Sequence, residues 1–179
     1  MTLIRLRSGI YSVDGCQPRP CNNLVLAVHP YYQFDPDSLV FMSKPRFSEG
    51  KTGDPEYIAK FENLVKSASE LVTFEEASRV PSTAERYRRI GVHRGYFIKT
   101  KEDSPQPVEN EGGRLVEVPW DDVFDFLRVF EVPLREPIRL VGGYYNIYFV
   151  GTNVGCLNAL ECKIRMESLP AEVLKEITF

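Results

Sequence analysis

Cys156 stands in "VGTNVGCLNALECK", where turn residues give way to an apolar repeat at helical spacing. A thiol at the start of a helix meets the positive end of the helix dipole and unsatisfied backbone N–H groups, which favour the thiolate. The N–H groups around Gly155 and Cys156 can also hold an oxyanion. His29 ends the apolar run "LVLAVHP", where packing gives no reason for a polar side chain, and Lys99 ends "GYFIKT". Nucleophile, base and anion-stabilising cation would together make a small hydrolytic centre of Cys156, His29 and Lys99. A second reading of the cysteine stands beside this one. Free cysteine is among the most buried residue types, and Cys156, Leu160 and Ile164 also make a plain core stripe.

Other residues suit binding. Asp35 follows His29 in "PYYQFDPD", and Gly142-Gly143 ends "IRLVGG". A glycine pair lets backbone approach a ligand closely, or marks a bulge in a strand. Arg86, Arg89 and Arg94 lie in "ERYRRIGVHRGYFIKTK" with Tyr87, Tyr96 and Phe97 among them. Arginine interleaved with aromatics can hold phosphates and stack bases. That makes a non-catalytic module for a nucleotide, small ligand or RNA the alternative to an enzyme; the plainer account is a solvated cationic helix face. The phosphate-loop, GxGxxG and GxSxG patterns are all missing.

These residues need elements to carry them. "TLIRLRSGIYSV" alternates as a strand or hairpin. "LVLAV" reads as a strand buried on both faces. "DPEYIAKFENLVKSASE" is an amphipathic helix opened by Asp54 and Pro55. "LVTFE", "GYFIKT", "RLVEV" and "PIRLVGGYYNIYFVG" are strands. "STAERYRRIG", with a capping box from Ser82 to Glu85, "PWDDVFDFLRVF" and "NVGCLNALECKIRM" are helices. Ser168 and Pro170 open a last amphipathic helix with Leu174 and Ile177 inward. Residues 35–53 and 101–113 are long loops. Strands alternating with helices predict a three-layer α/β/α domain, a mostly parallel sheet with helices on both faces. In such sheets ligands bind at the C-terminal strand ends, where His29, Lys99 and Gly142 all fall.

At this level the chain resembles the isochorismatase-like cysteine hydrolases. "LVLAVHPYYQFDP" is similar to that family's first strand, "FENLVKSASELVTFEE" to its first helix and second strand, "GYFIKTKEDS" to its lysine-bearing strand, and "VGTNVGCLNALE" to its cysteine turn and helix. The resemblance spans residues 24 to 163 and implies Cys156 as nucleophile with Lys99 as helper. His29 occupies the position of the family's aspartate.

Composition narrows the field further. The 179 residues fit one domain. A net charge of −3 is not that of a general polyanion binder, and the apolar runs fall far short of a membrane span. Four cysteines and two histidines, without CxxC spacing, argue against a zinc site, and no cofactor is expected. Cys16 and Cys21, around "QPRP", are close enough in sequence for a local disulfide. The remaining expectations are a cytoplasmic location, a small-molecule ligand, and a homodimer through the aromatic run "YYNIYFV".

Overall fold

The computed structural model describes residues 2–31, 55–102, 104–133, 135–143, 148–149, 152–153 and 155–178. The N-terminal alternation folds into a hairpin of β1 (Leu3–Arg7) and β2 (Ile10–Val13). Its two-residue turn uses Gly9 at φ +67°, a backbone region that glycine enters without steric cost. Then follow β3 (Leu24–Val28), α1 (Pro55–Ser67), β4 (Glu70–Glu76), α2 (Val80–Arg89) and β5 (Tyr96–Thr100). A second hairpin, β6 (Val108–Glu111) and β7 (Arg114–Glu117), precedes α3 (Trp120–Arg128) and β8 (Ile138–Gly142). A short ladder of β9 (Tyr148–Phe149) and β10 (Thr152–Asn153) leads to α4 (Cys156–Met166) and β11 (Ala171–Thr178).

Seven strands form one sheet in the order β1-β2-β5-β4-β3-β8-β11. The mostly parallel sheet of a three-layer α/β/α domain, expected from the alternation of strands and helices, needs correcting: this sheet is mixed. Among the described residues two of its six pairings are antiparallel and four parallel, and the separate β6–β7 and β9–β10 ladders are both antiparallel. The reason is local. Parallel neighbours need a long crossover, whereas short glycine turns join antiparallel strands. The Gly9 turn adds an antiparallel flank to β5, and Gly112-Gly113, both at positive φ, closes the β6–β7 hairpin apart from the sheet.

Alternation along the central strands sends side chains into two cores. Leu24, Leu26 and Val28 join Phe124 and Leu127 of α3 and Leu157, Leu160 and Ile164 of α4. Val25 and Ala27 join Tyr57, Phe61 and Val65 of α1 and Val80, Ala84 and Tyr87 of α2. Tyr57, Phe61 and Val65 lie four apart, the spacing that puts side chains on one helix face.

Three further expectations change. The last helix is a strand, β11, paired in parallel with β8. The segment 101–113 is not one long loop, because β6 lies inside it. The helix expected from Ser82 starts at Val80 without a side-chain cap, and the Ser82 hydroxyl donates to the Arg79 carbonyl at 2.8 Å. The loop 35–53 lies outside the described residues, as does most of the aromatic run 144–150.

Candidate functional site

β3 has β4 on one side and β8 on the other. The chain steps from β3 through β4 to β5, then returns to lay β8 and β11 on the opposite side. The direction of winding therefore reverses between β3 and β8, and crevices at such reversals are where open α/β sheets bind ligands.

His29 is the first residue past β3 and lies at this point. Its backbone is left-handed, with φ +41°, a conformation that costs energy and persists only where the surroundings over-determine it. They do so here. The His29 N–H donates to the Phe74 carbonyl at 2.9 Å, and the Gly143 N–H donates to the Val28 carbonyl at 2.6 Å. The Tyr57 hydroxyl donates to the Pro30 carbonyl at 3.1 Å. Arg79 donates to the Tyr31 carbonyl at 3.2 Å.

The His29 ring is buried, and its Nε2 lies 3.0 Å from Thr100 Oγ1. The Thr100 hydroxyl also lies within donating distance of the Lys101 carbonyl, at 3.1 Å. The ring and this hydroxyl share one hydrogen bond, whose donor is set by the imidazole tautomer. Burial, reinforced by the Arg79 charge, pushes the imidazole pKa down to about 3. The ring is neutral at ordinary pH and acts as a hydrogen-bonding group; it does not store a proton.

Beneath it the end of β4 carries two buried carboxylates, Glu75 and Glu76. The Thr83 hydroxyl donates to Glu75 Oε2 at 2.7 Å, and the Glu76 N–H donates to Oε1 at 3.1 Å. Arg79 Nε stands 3.7 Å from that same oxygen. Burial pushes the Glu75 carboxyl up to about 7, against the opposing pull of Thr83, Arg79 and the Glu76 amide. Glu75, Glu76, Arg79 and Thr100 were not singled out from sequence. The signal for the first two is there: "LVTFEE" ends an apolar strand in polar residues just as "LVLAVH" does.

Cys156 is the first residue of α4, after Gly155 at the N-cap, and is buried in the core with Leu157, Leu160 and Ile164. Because α4 follows β8, its start lies at the same edge of the sheet as His29, on the β8 side. The structure does not bring Lys99 to Cys156. The Lys99 ammonium rests 3.9 Å over the Tyr11 ring on β2, and two strands separate β5 from β8. The physical cause is alternation: Thr100 faces the site, so its neighbour turns away.

Gly142 has φ +102°, and a Cβ there would stand 2.3 Å from the Val28 carbonyl oxygen. Its glycine is required by the close approach of β8 to β3, and the Gly143 N–H makes the bond across that approach. Asp35 lies outside the described residues.

The arginines are spread out rather than gathered into one patch. Arg86 covers the Tyr31 ring at 4.2 Å and pairs with Glu62 at 3.6 Å. Arg89 pairs with Glu85 at 3.1 Å. Arg94 pairs with buried Glu70 at 2.8 Å, at the opposite end of the sheet from His29. Each cation faces a carboxylate of this chain. Among the described residues no three His, Cys, Asp or Glu side chains are grouped to hold a metal, and no helix is long and apolar enough to cross a membrane. Cys16 and Cys21 are both free thiols. No family model matches the chain, and no curated protein or solved structure matches it.

Proposed function

We propose that the protein is a small cysteine-dependent hydrolase working at the C-terminal ends of β3 and β8. The observation that carries this reading is the strained, fully tied His29 turn at the reversal of the sheet, with the helix bearing Cys156 starting at the same edge. The Cys156 thiolate would be favoured by the α4 dipole and first-turn N–H groups. It would attack the carbonyl carbon of an amide or ester. A C–S bond forms, the C–N or C–O bond breaks, and the leaving nitrogen or oxygen departs with its electron pair and takes up a proton from solvent water. Water then adds its hydroxyl to the thioester carbon and returns a proton to sulfur. The neutral His29 ring is a fixed hydrogen-bonding wall of the site and not its base. Lys99 takes no part, so stabilisation of the oxyanion falls to the backbone at Gly155 and Cys156.

The test is the rate of Cys156 alkylation by iodoacetamide between pH 5 and 9, in the folded chain with Cys16, Cys21 and Cys162 changed to serine. A fast reaction with an apparent pKa below about 7 is expected of an activated thiolate. A thiol that stays unreactive across this range would sink the enzyme reading.

A further inference from the structure

The cluster beneath the proposed site contains a group that its chemistry leaves unused. Arg79 lies where β4 turns into α2, with a side chain 12% exposed. One end of its guanidinium donates to the Tyr31 carbonyl at 3.2 Å, while Nε stands 3.7 Å from Glu75 Oε1. The other Glu75 oxygen is held by Thr83 at 2.7 Å. A planar guanidinium can meet a carboxylate and a carbonyl together; the single ammonium of lysine has no such fork.

We propose that Arg79 is a positioning residue: anchored on Glu75, it holds the Tyr31 carbonyl and so sets the turn that presents His29 to the site. The inference rests on reading these strand ends as the functional site. The His29 turn is held in an unfavourable backbone region, so loosening one tie lets the strain relax. The grip depends on the charge of Glu75. The groups acting on that carboxyl are Arg79 and Glu76 from its own segment and Thr83 and Tyr87 from α2; Lys99 is its register partner on β5, with its ammonium over Tyr11, and the His29 N–H bonds the carbonyl of Phe74, one residue before it. Among the described residues Arg79 is the cation that pairs with it. With the carboxyl held at about 7 by burial, the grip tightens as pH rises through neutrality.

The experiment is nitrogen-15 magnetic resonance of the His29 ring in the full chain, which has two histidines. The wild type is expected to show a neutral ring held in a single tautomer. Its shifts are expected to follow Glu75 ionisation between about pH 6 and 8, an inflection that Glu75→Gln removes. Arg79→Lys and Arg79→Met are expected to average the two tautomers and speed exchange of the ring N–H proton at least about tenfold. A ring unchanged in both folded Arg79 variants overturns the proposal. If neither variant folds, a wild-type ring without the inflection overturns it. The two readings fail separately. An inert Cys156 with a responsive ring removes the hydrolase and keeps the role of Arg79; a reactive Cys156 with an unresponsive ring does the reverse.

Discussion

Where β3 and β8 part, His29 at φ +41° and Gly142 at φ +102° both hold left-handed backbone, for different reasons. At Gly142 the cause is contact with Val28, and a methyl group has nowhere to go. Gly142→Ala is therefore expected to cost about 3 kcal/mol or more, combining backbone strain with displaced strands. Urea denaturation checks this; a loss under about 1 kcal/mol would mean that β8 can slide away from β3. Glu75 invites a second test, with a definite sign. Its carboxyl binds a proton more tightly in the folded chain, near pH 7, than in the unfolded chain, near 4.5. The protonated group thus favours folding fully below about pH 4.5, and that contribution is lost as pH rises to 7. Glu75→Gln is expected to match the wild type at pH 4 and to exceed it by roughly 1–3 kcal/mol at pH 8. A Gln variant weaker than wild type at pH 8 would mean that the Arg79 pair outweighs the burial cost. His29 was legible because a polar residue ended an apolar run. Thr100 and Arg79 were not, because what matters about them is a partner two strands or one turn away.

The element that misled most is β11. In "AEVLKEIT" the apolar residues Val173, Leu174 and Ile177 fit a helix face by spacing alone. In the folded chain they divide: Val173 packs on the α3–α4 side, while Leu174 and Ile177 pack on the other. What decides is the open edge of β8, whose register partners Ile138, Arg139 and Leu140 receive Ala171, Glu172 and Val173. A single sequence does not reveal that vacancy. β6 was hidden differently, since only Val108 and Glu109 of its four residues are buried and the strand has little apolar signature. Exposed Glu176 gives a test of β11. Glu176→Thr exchanges a good helix former for a good strand former and is expected to raise stability by a few tenths to about 1 kcal/mol. A loss of similar size in the urea midpoint would favour a helix there.

Across the whole molecule, the two ends of the sheet treat buried charge in opposite ways. At the N-terminal end of β4 the Glu70 carboxylate, with a fully buried side chain, accepts from both Arg19 and Arg94. Arg94 also donates to the Gln17 carbonyl and the Tyr96 hydroxyl. Those bonds tie the chain entering β3 to the starts of β4 and β5, and the cluster reads as structural. At the C-terminal end Glu75 has Arg79 at a looser 3.7 Å, Glu76 crowds beside it, and the backbone above is strained. Energy is spent there that folding does not require, as expected where function and stability compete. The contrast can be measured with one pair of variants. Arg94→Ala leaves Glu70 with Arg19 alone, which is largely exposed. It is expected to lose about 1–2 kcal/mol, below the full cost of orphaning a buried charge, and to alkylate Cys156 within about twofold of the wild-type rate. If the proposed site is correct, Glu75→Gln is expected to keep or gain stability at pH 8 while changing the alkylation rate more than about threefold, because it slackens the His29 turn at the same end of the sheet. If Arg94→Ala moved the thiol rate as far as Glu75→Gln does, the two ends would be one coupled network, and the division of labour along the strands would fail.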